Sequence, residues 1–175
     1  MKIHIYLTME LEEAKSKYIE AWGSLGSSWG VSRTMAQVHA LLMIATDPLS
    51  TEEIMEALKI SRGNVNMNIR ALMDWGLADK VLVPGERKEY FKTDKDPMKL
   101  AVQVAKERKR RELEPIIKIL NEIKTVESNS PEAKEFKKVN AELLQFANQA
   151  ESVINLFITS NENWFFKIIG KFSSK

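Results

Sequence analysis

The chain contains no cysteine. That excludes disulfides, a thiol redox sensor and Cys-ligated zinc. Histidine is almost as scarce: His4 and His39 are too few for a His-based metal site, and neither metal nor cofactor is expected. His39 falls in a helical pattern beside Leu41, Leu42 and Met43, and reads as a satisfied, partly buried side chain. No apolar run reaches the ~18 residues of a membrane span. The opening MKIHIYL is too short for the apolar stretch of a signal peptide. A cytoplasmic protein without membrane association is therefore expected. The sequence also lacks a Gly-rich phosphate loop, an HExxH pair and any Ser/His/Asp constellation, so no enzyme is expected. Net charge is only +2, which withholds the basic footprint common among nucleic-acid-binding domains. The 175 residues, 44% hydrophobic and 29% charged, suffice for one packed domain plus a helical extension.

The chain is organised around residues 50–94. Ser50 and Glu53 have capping-box spacing, each side chain reaching the other's amide. A short helix to about Leu58 would bury Ile54, Ala57 and Leu58. Lys59-Ile60 forms a tight turn and Ser61 is a second N-cap. The next helix runs to about Trp75, where Gly76 stops it.

This second helix divides cleanly. Val65, Ile69, Leu72 and Met73 form one inward stripe. The opposite arc holds Arg62, Gly63, Asn64, Asn66, Met67 and Arg70, and carries no carboxylate before Asp74. Asn can pair with adenine edges, and Arg with guanine edges or phosphate. Gly63 permits close backbone approach, and the helix N-terminus with Ser61 favours a phosphate. Two short helices joined by three residues have the geometry that sets a second helix in a DNA major groove.

A two-stranded wing is expected next. Leu77–Val83 is β-rich, Pro84-Gly85 is a turn signal, and Glu89–Asp94 returns. Arg87 and Lys88 would sit at the hairpin tip, suited to phosphate or minor-groove contact. Residues 50–95 hold eight Lys/Arg and eight Asp/Glu, so the case rests on where the charges lie. Glu52, Glu53 and Glu56 are expected to lie away from the reading face.

Residues 30–95 resemble the winged-helix domain of MarR-type transcriptional regulators, and in particular the subgroup of glycine-betaine-synthesis repressors. The resemblance is carried by Gly30, Arg33, Ala36, His39, Pro48-Leu49-Ser50, the run Ser61 to Leu72, Trp75-Gly76, and Pro84 to Tyr90. It covers about a third of the chain in strong form. It implies a homodimer that binds double-stranded operator DNA and responds to a small-molecule effector, such as a quaternary ammonium compound. An aromatic cage would meet that ligand, with Tyr18, Trp22, Trp29, Trp75 and Tyr90 as candidates by residue type.

The flanks are helical. From about Thr8 to Trp29 apolar residues keep 3–4 spacing, and Gly23 and Gly26 predict a kink or close packing. Ser32 caps a helix from Arg33 to Ala45, ended by Asp47-Pro48. Asp96-Pro97 opens a long helix to about Val126, with a kink near Pro115. Its run KERKRR reads as a solvated face, with i,i+4 pairs Glu107–Arg111, Arg108–Glu112 and Arg110–Glu114. After Ser130-Pro131, a heptad seam runs through Phe136, Val139, Leu143, Phe146, Ala150, Val153 and Phe157. Its partner is either within the chain or in a second protomer. A final amphipathic segment (Trp164, Phe165, Ile168, Ile169, Phe172) suits a dimer partner better than a membrane surface.

The expected fold is thus mainly α: a winged helix-turn-helix over 30–95, flanked by helical dimerisation regions at 1–29 and 96–175. The expected function is sequence-specific DNA binding by a homodimeric regulator on a palindrome. The alternative is a winged-helix module that contacts only protein.

Overall fold

A computed structural model of the protein describes residues 9–160. His4 and the segment after Asn163 lie outside the described residues. Two compact units divide at Lys95/Asp96.

The first unit begins with α1 (Leu11–Ser28) and α2 (Arg33–Ile44). Ser32 caps α2, its Oγ accepting from the Met35 amide at 3.3 Å. The two helices approach closely where side chains are missing. A methyl group on Gly26 would meet Cβ of Ala36 at 2.5 Å, and one on Gly23 would meet Cγ of Gln37 at 2.7 Å. The glycines therefore serve close packing and not a kink. Helix α1 belongs to the same compact unit as the winged helix.

The motif follows as β1 (Leu49–Ser50), α3 (Thr51–Leu58), α4 (Arg62–Asp74), β2 (Asp79–Val81) and β3 (Tyr90–Lys92). The capping box forms: the Ser50 amide donates to Glu53 Oε2 at 2.7 Å, and the Glu53 amide to Ser50 Oγ at 3.3 Å. Lys59 ends α3 in the left-handed region at φ 53°. Gly76 ends α4 at φ 65°, with the Leu77 amide on the Leu72 carbonyl and the Gly76 amide on that of Met73, a Schellman motif. The core collects Val38, Leu42, Ile54, Val65, Ile69, Leu72 and Phe91. On α3 the buried side is Ile54 with half-buried Met55 and Leu58; Ala57, expected inside, is exposed.

The expected two-stranded wing gains a third strand. The sheet is antiparallel in the order β1-β3-β2, with Leu49 opposite Phe91 and Lys80 opposite Phe91 on the other side. Only Asp79–Val81 of the expected Leu77–Val83 strand pairs, matching the length of β3. His39 is buried under this sheet, with Nε2 3.2 Å from Thr93 Oγ1, whose hydroxyl donates to the Leu77 carbonyl at 2.7 Å. Since that hydroxyl spends its proton on Leu77, the imidazole Nε2 is the donor to Thr93. Burial lowers the His39 pKa to about 4.

The second unit comprises α5 (Pro97–Arg108), a turn of π-helix (Lys109–Leu113), α6 (Glu114–Glu122) and α7 (Pro131–Thr159). Asp96 caps α5, accepting from the amides of Met98 and Lys99 at 2.8 and 3.3 Å. Pro115 has no amide for the Arg111 carbonyl, and its ring crowds that carbonyl. The helix meets this by widening for one turn. The wider turn alters the expected ion pairs: Glu114 meets Lys109 five residues back at 3.4 Å, and Arg110 pairs with Glu107 at 2.6 Å. Arg111–Glu107 and Arg108–Glu112 form as expected.

Helix α7 packs against α6 through small residues seven apart, Ala133, Asn140 and Ala147. Asn140 Nδ2 donates to the Leu120 carbonyl at 3.0 Å. The heptad seam lies elsewhere on α7: Phe136, Val139, Leu143, Phe146 and Val153 are exposed, and Ala150 and Phe157 are half-buried. Ile116 and Ile119 of α6, and Ile123 just after it, are exposed as well.

Candidate nucleic-acid interface

The candidate surface is built from the N-terminal half of α4 and the wing. Ser61 Oγ accepts from the Asn64 amide at 3.3 Å and so starts α4 at a fixed point. From there the 3.6-residue period turns Val65, Ile69 and Leu72 inward and leaves Ser61, Arg62, Gly63, Asn66, Met67 and Arg70 exposed. Met67 is 63% exposed, which a methionine with an internal packing role would not be. No atom lies within 4 Å of a methyl group placed on Gly63, so this surface is open.

Four residues depart from the expected arrangement. Asn64 is half-buried, and its Oδ1 accepts from Asn68 Nδ2 at 2.7 Å. Asn68 itself is buried at 2% exposure; no reading of the helix period singled it out. Arg62 is held by Glu52 of α3, Nη2 to Oε1 at 2.6 Å. Glu52 is thus beside the reading face and not away from it. The cause is the three-residue turn, which folds the start of α4 back over the first turn of α3. The Arg62 hydrogen bond holds the Glu52 carboxyl below its ordinary pKa, and the charge of Lys88 acts in the same direction. Glu53 is lowered too, first by Ser50 and also by Lys88. The wing cation therefore lies near the first turn of α3.

The wing turn follows its sequence signal. The Glu86 amide donates to the Val83 carbonyl at 3.1 Å, and Gly85 has φ 87°. Pro84 and Gly85 thus occupy the central positions of a type II turn, where the second needs positive φ. Arg87 and Lys88 follow it, both exposed. The hairpin is pinned by an ion pair between Lys80 and Glu89.

Residues 29–89 match the profile of the MarR family. This segment is thus similar to MarR-family domains. The chain has relatives among helix-turn-helix regulators. The putative HTH-type transcriptional regulator YvaV of Bacillus subtilis is 24% identical over 86 residues, 49% of this chain and 49% of YvaV. The HTH-type transcriptional repressor OpcR of Bacillus subtilis is 21% identical over 157 residues, 88% of this chain and 78% of OpcR. The HTH-type transcriptional regulator MmpR5 of Mycobacterium tuberculosis is 30% identical over 78 residues, 43% of this chain and 47% of MmpR5. The matched stretch thus spans about half the length of YvaV and of MmpR5. A crystal structure of a transcriptional regulator shares the fold: TM-score 0.66, 19% identity, covering 93% of this chain and 99% of that one. Among the described residues no helix is long and apolar enough to cross a membrane.

The five aromatic residues considered for a cage are spread over α1, the residue after it, the end of α4 and β3. Tyr18 and Trp22 stack on α1 with ring centroids 5.6 Å apart, and burial raises the Tyr18 phenol. Trp29 follows the end of α1 and is 58% exposed. Trp75 ends α4 and packs on the core, while Tyr90 opens β3 opposite Ser50 and Val81.

Proposed function

We propose that this protein is a transcriptional repressor of the glycine-betaine-synthesis repressor subgroup, cytoplasmic, acting as a homodimer on palindromic double-stranded DNA. The observation that carries the proposal is the exposed face of α4, where Gly63, Asn66, Met67 and Arg70 surround the helix start with no acidic side chain among them. A polar, cationic helix face after a three-residue turn is what a major groove accepts. Arg87 and Lys88 then meet phosphate or a minor groove and carry affinity more than sequence preference. The exposed seam of α7 supports a dimer, because among the described residues no helix covers it. Two-fold symmetry sets the reading helices about one DNA turn, ~34 Å, apart. The effector is a small quaternary ammonium compound, for which the Tyr18–Trp22 stack offers an aromatic face. Similarity to OpcR over most of the chain supports repression.

The test is selection of bound duplexes from a random pool, followed by titration in salt. One palindromic site and a steep log-log salt dependence are expected. Arg70→Ala should leave stability within about half a kcal/mol and cost ~1–3 kcal/mol of discrimination at one base pair. Leu72→Ala should instead cost about 2–5 kcal/mol of stability through the cavity it leaves. Retention that ignores salt, or an Arg70→Ala variant that binds the selected duplex as the parent does, removes α4 from the groove and favours a protein-contact role.

A further inference from the structure

The buried amide of Asn68 dictates which atom of Asn64 faces outward. Asn68 Nδ2 lies 2.8 Å from the Asn64 backbone carbonyl and 2.7 Å from Asn64 Oδ1. A backbone carbonyl can only accept, so the Asn68 atom against it is the NH2 group. The Asn64 atom facing that same NH2 group must then be its oxygen. The opposite end of Asn68 is set as well: its Oδ1 accepts from Ser32 Oγ at 3.4 Å, while Ser32 Oγ accepts from the Met35 amide. Orientation thus passes from the cap of α2, through Asn68, to Asn64. With Oδ1 turned toward Asn68, the amide atom of Asn64 left without a partner among the described residues is Nδ2.

We infer that Asn68 is a positioning residue that holds the Asn64 oxygen inward and leaves its NH2 group to read, so that Asn64 selects guanine over adenine. The inference rests on the DNA-reading role of α4 proposed above. Adenine presents N7 as acceptor and N6 as donor, and an asparagine that pairs with both needs its oxygen as well as its nitrogen. An amide held with its NH2 group foremost faces the N6 amino group as like against like. Guanine presents N7 and O6, both acceptors, to the two N–H groups of Nδ2. The sequence alone permits the adenine pairing; the contact with Asn68 withdraws it.

The experiment selects bound duplexes with the full chain, with Asn64→Ala and with Asn68→Ala. The base pair whose preference flattens in Asn64→Ala is the one Asn64 meets. It should be G·C. Replacing its guanine by 7-deazaguanine should weaken the parent about tenfold and leave Asn64→Ala unchanged. Asn68→Ala should admit adenine at that pair and keep the preferences elsewhere, a change that lost stability alone does not produce. Should Asn68→Ala fail to fold, the 7-deazaguanine comparison decides without it. The inference is overturned by an A·T pair at that position, by indifference of the parent to 7-deazaguanine, or by a folded Asn68→Ala with unaltered preference. It is also overturned if Asn64→Ala flattens no position while Arg70→Ala flattens one, an outcome that leaves DNA reading by α4 in place. A parent chain that enriches no sequence overturns the DNA-reading role itself.

Discussion

At the scale of single residues, His39 makes stability depend on pH in a defined window. Its folded pKa of about 4 lies below the ordinary ~6.5 of the unfolded chain. The unfolded state therefore binds the proton first as pH falls. The full contribution is present above pH ~6.5 and is lost progressively toward pH 4, about 3 kcal/mol in all. The lowered carboxyls of Glu52, Glu53 and Glu107 act below their ordinary range, so the interval from pH 6.5 to 5 belongs to His39. Urea unfolding across that interval should lose stability at ~1.4 kcal/mol per pH unit at most, and His39→Gln should flatten it. A flat parent curve would mean that His39 takes up its proton without unfolding. The satisfied histidine was legible from its apolar neighbours. So were Ser32, Ser50, Ser61 and Asp96 as caps, because each precedes a periodic apolar run. Asn68 was not, because an amide inside a polar stretch gives no periodic signal of burial; only the distance to Ser32, 36 residues away, reveals its direction. Arg62 looked free for the same reason, its partner Glu52 being ten residues back on another helix.

At the scale of elements, α4 invites a substitution whose effects on folding and on binding diverge. Gly63 is helical with open space around it. Gly63→Ala should raise stability by about 0.5–1 kcal/mol through a smaller loss of backbone entropy. The added methyl group would stand on the face proposed to approach DNA, so affinity for the selected duplex should fall even as the melting temperature rises. A higher melting temperature with unchanged affinity would place the DNA contact elsewhere on α4. The helices of the motif were readable because each has a cap and a stripe. Strand β1 was not: two residues show no alternation, and Ser50 was already accounted for as the cap of α3. The π turn was read as a kink near Pro115, correct in place, but its widened spacing redirected Glu114 from Arg110 to Lys109.

At the scale of the whole molecule, the apolar face of α7 is where the proposed dimer would form. The heptad pattern was visible in the sequence, but periodicity does not say which chain supplies the partner. In the structure the face is uncovered, with Phe146 at 69% and Val153 at 68% exposure. Phe146→Glu should therefore leave the melting of the winged-helix unit nearly unchanged while shifting sedimentation from dimer to monomer. Affinity for a full palindrome should drop toward that for a half-site, since the second contact loses its intramolecular advantage. A variant that sediments as the parent does would take Phe146 out of the interface.

The Glu52–Arg62 pair bears on how such a regulator finds its site. A cation tied to a carboxylate releases little counterion when it reaches phosphate, so in the proposed role the chain should hold random duplex loosely and leave it soon. Brief visits favour rapid sampling of many sites, with dwell time reserved for the sequence that satisfies α4. Glu52→Gln frees Arg62 and removes a charge that repels DNA. It should steepen the salt dependence by about one unit on any sequence and lengthen residence on random DNA. The ratio of specific to random binding should narrow, so that the variant grips DNA more tightly but locates its operator more slowly. Equal residence times for the two proteins on random duplex would show that Arg62 is already available to phosphate in the parent.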